Sequence, residues 1–158
     1  MAGAVSVFEE VAVMLPSLVP LELGPVRQAP RAWGIKVWFG DTPDGKPARV
    51  HYEAQVIGAE GVPGAKVLAI EVGWHAEQTK EADNDAALAR IVAKERAWRK
   101  VVGSEPECGA FLGPSKWRRV SECWPDPDLG DPELAFELAA RLTDYVTGLE
   151  PVLRATPR

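Results

Sequence analysis

KVLAIEVGWHAE, residues 66–77, is the stretch that decides the fold. Leu68, Ile70, Val72 and Trp74 alternate with Val67, Ala69, Glu71, Gly73 and His75, the period-2 pattern of a strand. One face is wholly apolar and belongs in a core. The other carries Glu71 and His75, four residues apart, and is either a solvated sheet face or a site. The residues before this strand read as its sheet partners, and those after it as helices that cover the sheet.

Working towards the N-terminus, residues 48–57 place Val50, Tyr52, Ala54 and Val56 on one face and Arg49, His51, Glu53 and Gln55 on the other. Residues 33–39 place Ile35, Val37 and Phe39 opposite Lys36 and Trp38. The intervening DTPDGKP (41–47) and the glycine-rich 58–64 are dense in turn formers. Short turns between successive strands imply an antiparallel meander, because parallel neighbours need a long crossover. Residues 5–15 read as a helix with Phe8, Val11, Ala12 and Leu15 on one face, Ser6 and Glu9 forming a capping box, and Pro16 stopping it. The prolines at 16, 20, 25 and 30 predict an extended connection with a short edge strand at 21–23.

Towards the C-terminus, residues 83–102 predict one helix, started by Asp83, Asn84 and Asp85 and stopped by Gly103. Two short strands follow near 108–112 and 117–124. Asp131 caps a last helix with Pro132 in its first turn; Leu134, Leu138, Leu142, Tyr145 and Leu149 stack along it, and Pro151 ends it. The expected architecture is a single α+β domain of order α-β-β-β-α-β-β-α. It has an antiparallel-rich sheet of about five strands, three helices, an N-terminal helix and proline-rich connection over 1–34, and a loose tail over 151–158.

The 158 residues fit one domain, and 46% hydrophobic with 26% charged is a globular composition with a sizeable core. A net charge of −5 argues against a general nucleic-acid binder, whose affinity comes from neutralising phosphates. The apolar runs are far short of a membrane span. No basic segment precedes the first apolar run, and Glu9 and Glu10 interrupt it, so no signal peptide is expected. Two cysteines make no disulfide framework, and a reducing cytoplasm is the expected location.

The chemistry concentrates on two neighbouring strands. His51 and Glu53 share a face of one, and Glu71 and His75 share a face of the next. In a suitable register these four converge on a divalent ion or an acid–base site, with Glu53 and Glu71 as the candidate catalytic carboxylates. In any other register they are ordinary cross-strand pairs on a wet face. Cys108 and Cys123, fifteen residues apart, either join a histidine at a metal or behave as small buried hydrophobes. Six tryptophans are many for this length. Trp38 beside Lys36, and Trp117 beside Arg118 and Arg119, form a candidate partner-binding surface. Lys116, Arg118 and Arg119, with Arg99 and Lys100, form a candidate basic patch. No phosphate-binding glycine loop or nucleophile elbow is present.

The strand KVLAIEVGWHAE, the helix NDAALARIVAKERAWRKVVG, the strand KWRRVSECW and the closing helix ELAFELAARLTDYVTGLEPVL together resemble a group of bacterial domains with a restriction-endonuclease-like core. In active nucleases of that fold an acidic residue on one strand and a Glu-x-Lys on the next hold a divalent metal. The resemblance implies that Glu53 and Glu71 take the acidic roles; Gly73 stands where the lysine belongs. The element order is also similar to the secretion-chaperone-like α+β fold, whose members mostly bind other proteins. Two expectations follow. The first is a cytoplasmic, non-catalytic domain that binds a protein partner or a second copy of itself, with no cofactor, membrane or nucleic acid. The second is a degenerate or metal-dependent nuclease-like domain built on Glu53 and Glu71 with His51 or His75.

Overall fold

The stretch 66–77 forms the centre of a six-stranded, wholly antiparallel sheet in the computed structural model, which describes residues 3–155. The strands are β1 Val26–Arg31, β2 Gly34–Phe39, β3 Val50–Gly58, β4 Leu68–Ala76, β5 Glu107–Ala110 and β6 Arg118–Pro125. Their spatial order is β1-β2-β3-β4-β6-β5. The helices are α1 Gly3–Leu18, α2 Glu81–Val92, α3 Glu95–Val102 and α4 Leu134–Arg154. The α+β class and antiparallel sheet agree with the sequence pattern, although there are six strands and four helices where five and three were expected.

The helices gather on one face. Ile35, Val37, Tyr52, Ala54, Ile70, Val72, Trp74 and Val120 meet Phe8, Val11, Leu15, Ile91, Trp98, Leu138, Leu142 and Tyr145 in one core. Fully burying a side chain of this size is worth about 1.5–3 kcal/mol. Leu88 packs at the edge of this core. Leu68, expected within it, is only half-buried at the start of β4. No helix among the described residues is long and apolar enough to cross a membrane.

The differences from expectation have local causes. Pro16 does not stop α1, which runs on to Leu18 and is already helical at Ser6, three residues into the helix. A proline at 16 leaves the Ala12 carbonyl without its i+4 donor. The Gln28 side chain on β1 donates to that carbonyl at 2.9 Å and closes the gap. Residues 21–23 form a 3-10 turn where an edge strand was expected, and the strand comes later, as β1. It contains Pro30 and lies at the sheet edge, where a missing N–H is tolerated.

The expected helix over 83–102 is two helices, broken at Ala93-Lys94. The buried Trp98 indole donates to the Ile91 carbonyl at 2.8 Å across the break. Asn84 is no cap. It is fully buried and ties Gln78 N–H, Gln78 C=O and Lys116 C=O together. Asp131 precedes α4 and accepts the Glu133 N–H at 2.9 Å. Pro151 is carried inside α4, which continues to Arg154, so the expected tail is helical through that residue. Residues 156–158 lie outside the described residues.

Candidate metal centre

On the face of the sheet away from the helices, alternation presents His51, Glu53 and Gln55 from β3 and Glu71, Gly73 and His75 from β4. The register sets His51 opposite His75, Glu53 opposite Gly73 and Gln55 opposite Glu71. Glu77 lies one residue past β4, but its N–H still donates to the Arg49 carbonyl at 2.8 Å, so it continues the pleat on the same face. An ordinary solvated sheet face would leave these groups wet. Here His75 and Glu71 are fully buried, His51 is 2% exposed, and Glu53 and Glu77 are each 7% exposed. The β5–β6 loop supplies part of the cover. The Phe111 ring stands edge-on to His75 with centroids 4.7 Å apart, and Trp117 stands edge-on to Phe111 at 5.4 Å.

Each imidazole is held from behind. His51 Nδ1 lies 2.7 Å from the Ala48 carbonyl oxygen, and His75 Nε2 lies 2.6 Å from Glu71 Oε2. A carbonyl or carboxylate accepts, so these two nitrogens carry the protons. The remaining nitrogens face each other's carboxylates. His51 Nε2 lies 2.8 Å from Glu53 Oε1 and 3.7 Å from Glu77 Oε2. His75 Nδ1 lies 3.2 Å from Glu53 Oε1 and 3.1 Å from Glu77 Oε2. One donor atom from each of the four residues falls within 4.8 Å of all the others. Lys36 Nζ comes from β2 to within 3.6 Å of Glu77 Oε1. Gln55 donates its amide to Glu71 Oε1 at 2.9 Å.

The electrostatics follow from this packing. Burial pushes the Glu53 carboxyl upward, but hydrogen bonds from His51 and His75 outweigh it and bring it down to about 2. Glu71 is also lowered: burial acts upward, and the charge and hydrogen bond of His75 act downward more strongly. Burial alone would discharge His75. The facing carboxylates of Glu71, Glu53 and Glu77 reverse that and hold it well above its ordinary value.

Gly73 is a requirement of this site. It has φ of +157°, and a Cβ there would stand 2.3 Å from the Val120 carbonyl oxygen and 2.6 Å from Ser121 Cα. The position where the nuclease pattern has its lysine therefore accepts no side chain without displacing β6. The lysine beside these carboxylates is Lys36, from another strand.

The structure thus brings together all four sequence-predicted candidates, His51, Glu53, Glu71 and His75. Glu71 stands behind His75, outside the four-donor group, and Glu77 takes the fourth place. Glu77 was findable: it continues the 71-73-75 alternation. Lys36 was visible only as a polar residue on a shared face.

The other candidates stay apart. Trp38 is 8% exposed, and Trp117 is half-buried against Phe111. Arg118 is paired with Glu81 and Asp85, and Arg119 is buried against Glu107 and Ser121. Arg99 pairs with Glu95, so the expected basic patch is largely neutralised. Cys108 lies opposite Val120 on the core side, whereas Cys123 lies opposite Glu71 on the other, so the two cysteines share no site. Compared with known protein families, with curated proteins and with solved structures, the chain matches none.

Proposed function

We propose that this domain binds one divalent transition-metal ion, zinc in the first instance, through His51 Nε2, Glu53 Oε1, His75 Nδ1 and Glu77 Oε2. The observation that carries the reading is the spacing of these atoms. Tetrahedral zinc with bonds of about 2.0–2.1 Å sets neighbouring ligand atoms roughly 3.3–3.4 Å apart. The four histidine–carboxylate separations are 2.8, 3.2, 3.1 and 3.7 Å. Mixed imidazole and carboxylate ligands suit zinc and its first-row neighbours better than magnesium or calcium. Glu71 behind His75 and the Ala48 carbonyl behind His51 supply the orienting hydrogen bonds that metal-bound histidines need.

Charge balance supports the same reading. Glu53, Glu71 and Glu77 contribute three negative charges and Lys36 one positive. Two charges are left to cancel in a buried place. Both nitrogens of each ring face acceptors, and an ion at the inner nitrogens satisfies the contact for which a neutral ring has no proton. One divalent cation among the four donor atoms cancels the excess. Binding displaces the proton that the surrounding carboxylates hold on the inner nitrogen of His75, so affinity rises with pH.

The test is calorimetric titration of chelator-treated protein with zinc in buffers of different ionisation enthalpy. One equivalent should bind with proton release, and the Glu53→Gln, Glu77→Gln double variant should lose binding while remaining folded. Equal binding by parent and variant would overturn the assignment.

A second reading, the partner-binding domain, is supported by Trp33. It is 59% exposed at the tip of the two-residue β1–β2 turn beside the open sheet edge. A Trp33→Ala variant that leaves self-association and copurifying proteins unchanged would remove that support.

A further inference from the structure

Beside the buried centre lies an open cleft of about 610 Å³, with His51 and Glu77 on its wall. Arg31, Lys36, Lys46 and Arg49 also line it. Four cations on one concavity are a local reversal in a chain whose net charge is −5. Lys36 is engaged with Glu77. Arg31, Lys46 and Arg49 are exposed and, among the described residues, take part in no ion pair, whereas the exposed Arg27 pairs with Asp41 and Arg154 with Glu150. Two acids line the cleft: Glu77, engaged with Lys36, and Asp44, whose Oδ1 accepts the Lys46 backbone N–H at 3.0 Å. The Trp117 side gives the cleft an aromatic wall.

We propose that this cleft binds the phosphate group of a small molecule, held by the side chains of Arg31, Lys46 and Arg49 above the metal centre. Guanidinium groups match phosphate oxygens in pairs, and lysine adds a mobile point charge. The cleft is the size of a small-ligand pocket and offers an aromatic surface to the ester group. Nucleic acid fits less well: the chain as a whole is acidic, and the cations occupy one pocket with no track for a backbone. Arg31, Lys46 and Arg49 stand outside the four-donor group, and the proposal goes beyond the metal reading without depending on it.

The experiment is a titration of chelator-treated protein with inorganic phosphate and, separately, with phenyl phosphate at low ionic strength, followed by backbone amide NMR. It is run for the parent, for Arg31→Ala with Arg49→Ala, and for Arg31→Lys with Arg49→Lys. Saturable shifts at residues 31, 46, 49 and 117 are expected. The alanine pair should weaken binding at least tenfold, and the lysine pair should recover part of it. Tighter binding of phenyl phosphate would identify a monoester as the ligand; equal binding would point to free phosphate. No saturation by 20 mM of either probe would overturn the proposal, as would undiminished binding by the alanine pair. Binding of a duplex oligonucleotide without binding of phenyl phosphate would replace the small ligand by a nucleic acid. Zinc binding is measured separately on the same samples, so either proposal can fail alone.

Discussion

Glu71 shows how one residue acts through another. It holds His75 Nε2 at 2.6 Å and takes the Gln55 amide, so it aims the imidazole without joining the four-donor group. Glu71→Gln keeps the shape and an acceptor but removes the charge. Loss of such a partner typically costs 10–100-fold in metal affinity, and that range is expected here with an unchanged circular dichroism spectrum. Full affinity in the variant would show that Glu71 orients nothing. Gly73→Ala tests the backbone beneath the site. It combines a φ of +157° with a Cβ driven against the Val120 carbonyl, and it should cost more than about 3 kcal/mol in a denaturant melt. A loss under 1 kcal/mol would mean that β6 yields easily. At this scale the sequence is readable in part. Alternation sorts His51, Glu53, Glu71 and His75 onto faces, and a meander makes the faces coincide. It carries no information on burial, because Phe111 and Trp117 arrive from a loop remote in sequence. It also hides Lys36, whose approach depends on how β2 pairs with β3.

Elements are legible where one period dominates and obscure where proline or a tertiary partner intervenes. The α4 heptad-like row Leu134, Leu138, Leu142, Tyr145, Leu149 is buried throughout, as its spacing implies. Pro16 and Pro151 read as stops because the helix ladder loses a bond at each. At Pro16 the Gln28 side chain compensates from β1, sixteen residues further from Ala12, a relation no local pattern contains. The break between α2 and α3 has the same character: residues 83–102 keep a helical period, yet Trp98 turns to the Ile91 carbonyl. That break seats α3 on α4 at Gly148, where a Cβ would lie 2.7 Å from Val102 Cγ2 and 3.4 Å from the Trp98 carbonyl oxygen. Helix propensity alone predicts that Gly148→Ala gains about 1 kcal/mol. Overpacking in a tight interface costs roughly 1–3 kcal/mol. The expected outcome is a net loss of up to about 2 kcal/mol by chemical denaturation with the metal affinity unchanged. A gain of the size propensity predicts would show that α3 moves aside freely.

For the whole molecule, the buried centre couples stability to pH and to metal, with a sign that can be worked out. In the metal-free protein Glu53 falls from its ordinary 4.5 to about 2, and Glu71 falls in the same direction. Groups with lowered values contribute stability that is complete above 4.5 and lost as pH falls towards 2. His75 is raised above its ordinary 6.5. Its contribution is complete below 6.5 and disappears as pH rises through the folded value, on the alkaline side. The metal-free domain should therefore be most stable between about pH 4.5 and 6.5 and weaken on both flanks. Zinc changes one flank only. A metal-bound His75 Nδ1 has no inner proton to lose, so the alkaline decline vanishes. In acid, protons displace the ion, and the metal-loaded curve falls back onto the metal-free one. At pH 8 and zinc at 100 times its Kd, binding adds about 2.7 kcal/mol, which corresponds to roughly 5–10 °C in Tm for a chain of this size. Calorimetric scans from pH 4 to pH 9, with chelator and with zinc, should give two curves that coincide in acid and separate steadily as pH rises. Curves that stay parallel across the range would mean that the ion binds somewhere other than between His51 and His75.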